Sequence, residues 1–208
     1  MLAEPTHIVA EVKSRAAPLG LEWCIETITT YKFFAHEIQI EVNGEPQGIN
    51  LPNTFARTGL SFSLSSDFDT AVWFGRGPGE SYRDRKLSQR FGTWNSSIEN
   101  LFTDYEFPQE NGNRSDVRWV TFQGTDTKKS IKVSFGAQEG CSFGASYYTS
   151  EDLDRCKHAI EIRRWKKQEP IIRLDWAHHG LGTGAIGPKT MPKYALMSSP
   201  FMYQVSLR

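Results

Sequence analysis

Apolar and polar residues that alternate with a period of two are the feature that most restricts how this chain can fold. Residues 37–42 alternate strictly, and the pattern returns in residues 60–64, 130–135 and 201–207. A period of two places alternate side chains on opposite faces of an extended chain, so each segment is predicted to be a half-buried β-strand. The Asn43-Gly44 pair that follows the first segment predicts a tight turn there.

The remaining segments agree with an all-β fold. Residues 117–122 and 171–176 are almost continuously apolar and rich in β-branched and aromatic residues, which predicts strands covered on both faces. Helical features are confined to residues 149–158, where a hydroxyl residue at the start, Thr149 or Ser150, precedes two acids and can cap a short helix. Because no stretch between these segments has the length or composition of an interdomain linker, residues 1–208 are predicted to form one antiparallel two-sheet sandwich.

Composition excludes several classes of function. The chain has 24 Lys and Arg against 24 Asp and Glu, and therefore no overall field that would attract nucleic acid or an anionic membrane. It has no run of about 20 apolar residues and no signal-like apolar segment near its start, which favours a cytoplasmic location. The three cysteines form no Cys-x-x-Cys pair, so we expect buried thiols, no metal site and no cofactor in this chain.

Residues 73–85, here called motif 1, contain glycines, charges and aromatics in unusual density. Gly75, Gly77 and Gly79 resemble a nucleotide-binding loop superficially, but Pro78 interrupts them and the spacing of a dinucleotide fingerprint is not met. Glycines at such positions permit positive φ or a close approach of backbone. A phosphate site is therefore disfavoured.

Residues 105–119, or motif 2, place amide, carboxylate and guanidinium groups in a loop before an apolar strand. Such groups can hydrogen-bond sugar hydroxyls, and they can equally hold a loop to its own backbone. Glu110 and Asp116 could be read as the acid and nucleophile of a retaining glycosidase, which need carboxyl groups about 5–5.5 Å apart. With 24 acidic residues in the chain, a pair close in sequence carries little information.

Residues 174–188, or motif 3, run from a strand into a glycine-rich loop. His178 and His179 are adjacent and would point to opposite faces of a strand, which disfavours a shared zinc ion. The glycines suit a loop whose backbone approaches a ligand, and a plain strand connection is equally compatible with them.

In this order and separation, the three motifs resemble the C-terminal domain, or small chain, of the large multi-domain β-galactosidases of glycoside hydrolase family 2. Motif 1 is similar to the family pattern W-[YF]-G-R-G-P-x-E-x-Y-x-D-R, and residues 108–114 match P-Q-E-N-G-N-R. The resemblance continues through Asp175 and Gly180 to Tyr194 and covers nearly the whole chain. It implies an antiparallel supersandwich that is similar to galactose mutarotases.

The resemblance also implies that the catalytic residues lie in a different domain from the one described by this sequence. The family's catalytic glutamates belong to a barrel domain, so no catalytic residue is assigned here, and the expected partners are a barrel-bearing β-galactosidase chain and a β-galactoside. A loop at Thr183, Gly184, Ala185 and Ile186 is expected near the substrate, with Ile186 where a well-known bacterial member of the family carries an aromatic residue. Possible sugar or interdomain contacts are Arg76, Glu80, Arg83, Asp84, Glu110, Asn111 and Arg114.

Two further expectations remain open. The family's domain normally begins some tens of residues earlier, so the first strands are expected to be missing and a sheet edge to be exposed, which invites pairing with another chain. The alternative function is a free-standing carbohydrate-binding or mutarotase-like protein, which the fold alone supports weakly.

Overall fold

A computed structural model describes residues 7–136, 140–183 and 187–208, whose strands form two antiparallel sheets. The strands are numbered in chain order. Across the larger sheet they are β1 (Ile8–Ala16), β2 (Trp23–Phe33), β3 (Ile38–Gly48), β11 (Phe201–Leu207), β8 (Ser130–Ser134), β7 (Trp119–Gln123), β5 (Thr70–Gly77) and β6 (Arg90–Ser97). The smaller sheet contains β4 (Arg57–Ser63), β10 (Ile171–His178) and β9 (Ser142–Ser146). The predicted all-β sandwich is confirmed.

One local prediction was wrong. Asn43 and Gly44 do not form a turn but lie within β3, opposite Met202 and Phe201 of β11. A Cβ atom on Gly44 would lie 2.1 Å from Cζ of Phe201, so the glycine is there because the phenyl ring packs across its backbone. A glycine inside a strand can mark such a close approach as well as a turn.

The core lies between the two sheets and is largely aromatic. Trp73 of β5, Phe122 of β7 and Phe143 of β9 are 0% exposed, and the ring of Phe143 meets the rings of Trp73 and Phe122 edge-on at 5.6 and 6.0 Å. Leu174 of β10 is also fully buried. Each such side chain contributes about 1.5–3 kcal/mol by burial, so the core fixes how β9 and β10 sit on the larger sheet.

Short helices cover part of the molecule. Helix α1 (Ser150–Asp154) starts at Thr149, whose hydroxyl accepts a hydrogen bond from the backbone N–H of Asp152 while the Asp152 carboxylate accepts one from the N–H of Thr149. This capping box confirms the predicted hydroxyl cap and identifies Thr149 as the capping residue. Helix α2 (Ala159–Ile162) follows. No helix in the described ranges has the length and hydropathy needed to cross a membrane.

The three cysteines are buried thiols that form no disulfide, as expected. A bulge lies between Asp175 and Ala177 of β10, where the register with β4 shifts by one residue. Gly59 of β4 lies opposite this bulge, and a Cβ atom there would lie 2.3 Å from the carbonyl oxygen of Leu174. The bulge therefore requires a glycine on the neighbouring strand.

We expect Gly59→Ala to lower the free energy of unfolding by about 1–3 kcal/mol, because the added methyl group forces apart two paired strands. Gly92→Ala in β6 is the matched control, since its Cβ would meet Trp94 only at an ordinary 3.6 Å. Urea denaturation of both variants checks this. An equal loss of stability in both would contradict the assigned role of Gly59.

Candidate functional site

The three motifs come together around one cleft. Its volume is about 620 Å³, which is within the range of small-molecule sites. Among the residues that line it are Arg76 and Arg83 from motif 1, Asn113 and Asp116 from motif 2, and Trp176 and His178 from motif 3. Segments far apart in sequence therefore form one unit of structure.

A carboxylate at the cleft wall is held by two cations. Asp116 accepts a hydrogen bond of 2.6 Å from Nε of Arg76 and one of 2.8 Å from Nζ of Lys86. The Arg76 guanidinium also donates to the carbonyl oxygens of Lys86 and Gln89. Burial alone would raise the pKa of Asp116, but the hydrogen bonds from Lys86 and Arg76 outweigh it and lower that pKa.

Glu80 ties motif 1 to motif 2. Its carboxylate accepts hydrogen bonds from the backbone N–H of Gly112 at 2.9 Å and from the Thr103 hydroxyl at 3.1 Å. Arg85 at 3.0 Å and the Tyr105 hydroxyl donate to its other oxygen. Four donors on one carboxylate leave it little capacity to bind anything else.

Arg114 also connects the loops of motifs 1 and 2. Its guanidinium is buried, lies 5.7 Å from the centre of the Trp73 ring, and donates to the carbonyl oxygens of Leu101, Gly112 and Pro78 at 2.8 to 3.1 Å. Burial lowers the pKa of Arg114 to about 10, so the group stays charged at neutral pH.

Asn111 closes the turn in which it lies. Its side-chain oxygen accepts from the N–H of Thr103 at 3.0 Å, and its amide nitrogen donates to the Gln109 carbonyl at 2.9 Å. The side chain thus satisfies two backbone groups that no strand pairs.

Glu110 is the centre of a charged cluster beside β4 and β10. Its carboxylate accepts a hydrogen bond from Arg57 of β4 and lies 3.5 Å from Nη1 of Arg173 in β10. The Tyr82 hydroxyl donates to it at 3.4 Å. Burial raises the pKa of Tyr82, which keeps this hydroxyl protonated and able to donate. Motif 2 is therefore fastened to the smaller sheet.

Two titratable groups of β10 belong to the same cluster. Burial raises the pKa of Asp175 to about 6, although Arg57, 3.5 Å away, and Arg173 act against this. Burial and the charge of Arg57 lower the pKa of His178. Nδ1 of His178 lies 2.6 Å from the His179 carbonyl, so this nitrogen carries the proton of the neutral ring.

The start of the motif 3 loop is fixed by Asp84. Its two carboxylate oxygens accept from the N–H groups of Leu181 at 3.1 Å and Gly182 at 2.7 Å. The hydroxyl of the next residue, Thr183, donates to the Pro188 carbonyl at 3.2 Å, and the backbone carbonyl of Thr183 accepts from the N–H of Gly187 at 2.6 Å. Gly184, Ala185 and Ile186 lie outside the described residues.

Arg83, the last of the predicted contact residues, donates to the Ala195 carbonyl at 3.3 Å. All seven predicted contact residues thus have partners within the chain, and contact with a sugar or another domain stays a prediction. In the described ranges, no group of three His, Cys, Asp or Glu side chains is suited to a metal ion.

Two members of the cluster, Arg57 and Arg173, were missed by the sequence analysis. Arg173 stands between the buried residues Ile172 and Leu174, and a charge within an apolar strand is a signal that it needs a buried partner. Arg57 starts a strand of mixed composition and carries no comparable signal.

The fold and cleft define a β-sandwich whose polar site is formed by the loops of the three motifs, with their carboxylates paired inside the chain. A family model described as "Beta galactosidase small chain" matches residues 3–207, and the chain belongs to this family. The resemblance read from the motifs is confirmed.

Similar proteins are much longer than this chain. It is 35% identical over 201 residues to a β-galactosidase of Kluyveromyces lactis, a match that covers 96% of the chain and 19% of that relative. A β-galactosidase of Arthrobacter is 33% identical, with 89% and 18% covered, and one of Vibrio cholerae is 30% identical, with 96% and 18% covered. The chain spans about a fifth of the length of these curated relatives.

We expect Glu110→Gln to lower the free energy of unfolding by about 1–3 kcal/mol, because Arg57 and Arg173 lose their shared anionic partner. Glu106→Gln is the control, since Glu106 is an exposed carboxylate in the same loop. Its effect should stay within about 0.5 kcal/mol. Thermal or urea unfolding measures both, and equal effects would show that the cluster does not fasten motif 2.

The pH dependence of stability tests the Asp175 environment. Because its folded pKa of about 6 is above its unfolded value, the folded protein binds the proton more tightly between these two values. The contribution of Asp175 to stability therefore falls as the pH rises from roughly 4 to 6. In melting experiments, the Tm of the wild type minus that of Asp175→Asn should decrease over this range. A difference that increases would mean that Asp175 is held as a stabilised anion.

Proposed function

We propose that this chain is the non-catalytic part of a β-galactosidase and supports the active site of a larger chain or domain that supplies the acid/base and nucleophile. The observation that carries the proposal is the anchoring of the motif 3 loop by Asp84. Motif 1 holds the stretch that leads to the expected substrate-proximal residues 183–186, and membership of the β-galactosidase small-chain family supports the proposal.

The state of the motif carboxylates supports a non-catalytic role. A retaining glycosidase needs one carboxyl group that transfers a proton and one that attacks the sugar. Glu80, Asp84, Glu110 and Asp116 instead accept hydrogen bonds from cations, hydroxyls or backbone N–H groups of the chain itself. Freeing any of them would break a contact between motifs, so they suit a scaffold better than turnover.

The length of the relatives supports a larger partner. The β-galactosidases of Kluyveromyces lactis and Arthrobacter each extend over about five times the matched region. The remaining four fifths have room for a catalytic barrel. We infer that this chain meets an equivalent barrel-bearing chain or domain, and that the shared substrate is a β-galactoside.

The cleft favours one second candidate, a free-standing carbohydrate-binding protein. Phe91 and Trp176 give the cleft apolar walls, and Asn113 and Ser115 add polar groups. This combination suits a sugar ring. Titration calorimetry of the isolated chain with galactose and with lactose separates the two functions, because saturable binding supports the second and is not required by the first.

We expect the isolated chain to leave a chromogenic β-galactoside intact and to restore hydrolysis when mixed with the larger part of a relative, such as the Kluyveromyces lactis enzyme without its matching fifth. In this mixture Asp84→Asn should lower kcat/KM by about ten- to a hundred-fold, because an amide has a single acceptor oxygen for two N–H groups and the loop is misplaced.

Asp126→Asn, at an exposed position in another loop, is the control and should restore activity fully. The melting temperature of each variant shows whether folding is affected. Hydrolysis by the isolated chain that disappears when one of its own glutamates is replaced would overturn the proposal. Failure of restoration with every larger partner tried would count against it as well.

A further inference from the structure

Strand β1 is an open edge of the larger sheet. It pairs with β2 on one side, and no strand of the described ranges pairs with its other side. Eight of its nine residues are exposed, including Ile8 at 72%, Val9 at 53% and Val12 at 48%. A long edge strand with exposed β-branched residues is a template for pairing with another strand.

We propose that two copies of this chain pair antiparallel through β1, across a two-fold axis at Val12, so that their larger sheets become continuous. Val12 is the middle residue of Ile8–Ala16, and pairing about it gives the full nine-residue overlap. In this register Ile8 of one copy lies opposite Ala16 of the other. The proposal does not depend on the function proposed above.

The charges of β1 are compatible with the same register. Glu11 and Lys13 point to the same face and lie 3.7 Å apart within one copy, with more than half of each side chain exposed. Pairing about Val12 places Glu11 of each copy opposite Lys13 of the other, and opposite charges that face each other across strands are favourable. An axis at Glu11 places Glu11 opposite Glu11, which is unfavourable. An axis at Lys13 places Glu11 opposite Arg15, but it also places Lys13 opposite Lys13 and reduces the overlap to residues 10–16.

The other face of β1 is also complementary to itself. Ile8, Ala10, Val12 and Ala16 share this face with Ser14, because side chains alternate along a strand. Pairing about Val12 brings Val12 against Val12, Ile8 against Ala16 and Ala10 against Ser14, which keeps apolar and small residues together. Self-complementary charge and shape favour a second copy over an unrelated strand as the occupant.

The interface is one strand wide on each side, so a reversible dimer whose population rises with concentration is expected. Sedimentation velocity of the whole chain over a range of concentrations should show a monomer and a dimer, and no larger species. A monomer at every concentration, or open-ended aggregation, would overturn the proposal.

Engineered cysteines test the register. Residues directly opposite in antiparallel strands have Cα atoms about 4.5–5.5 Å apart, within the range of a disulfide. Val12→Cys should therefore give a covalent dimer on mild oxidation. Ala10→Cys and Ser14→Cys are matched controls on the same face, and each alone should not crosslink, because like positions would be about 13 Å apart. A mixture of these two controls should crosslink.

Crosslinking of Ala10→Cys or Ser14→Cys alone would show another register and contradict the proposal. Oxidation of Val12→Cys in the presence of the larger part of a relative tests the other occupant. A crosslink to that chain in place of the dimer would mean that the edge docks the galactosidase partner, and the proposal would be wrong.

Charge variants test the complementarity. Glu11→Lys should raise the dimer dissociation constant by about tenfold or more, because two lysine pairs then face each other. The double variant Glu11→Lys, Lys13→Glu restores opposite charges across the axis and should return the constant to near that of the wild type. Circular dichroism melting checks that all variants fold. A double variant as weak as the single one would overturn the proposed pairing.

Discussion

The structure depends on side chains that satisfy buried backbone groups outside the sheets. Between β6 and β7 the chain runs for more than 20 residues with no strand, only a short 3-10 turn and a single β-bridge between Arg114 and Phe143, yet residues 111–115 are buried. Buried N–H and C=O groups need partners, and here Arg114 and Glu80 supply them to carbonyls and amides of three separate stretches. Motifs 1 and 2 are rich in charged side chains because these side chains provide hydrogen bonds that neighbouring strands would otherwise have provided.

The charged cluster around Glu110 adds specificity more than net stability. Removing two charges from water costs about as much as their attraction returns, whereas loss of one member leaves an uncompensated charge. The loop of motif 2 therefore has one favourable position on the smaller sheet, where Arg57 and Arg173 meet Glu110. The opposite pKa shifts of Asp175 and His178 arise from the same burial, because exclusion of water disfavours the charged form of each group.

Sequence patterns predicted the half-buried strands well and other elements poorly. Strand β11 was predicted with its observed bounds because its alternation reflects one buried face. Strands β1 and β2 were missed for different reasons. Residues 10–16 of β1 alternate, but almost all of this strand is exposed, so its pattern does not reflect a buried face. Strand β2 is mostly half-buried, but its sequence does not alternate strictly. The glycine at position 44 was misread because a ring from a distant strand, which local sequence does not reveal, occupies the space beside it.

The motifs were found from composition, but their geometry was not, because partners such as Arg57 and Glu110 are 53 residues apart. Both the cleft and the open edge arise because the larger sheet has eight strands and the smaller sheet, which packs on it, has only three. Loops of the motifs cover the part of the larger sheet near β5, and their polar backbone creates a cleft there. At β1 no described segment covers the larger sheet. The exposed apolar residues of that strand can therefore be covered only by another chain or segment.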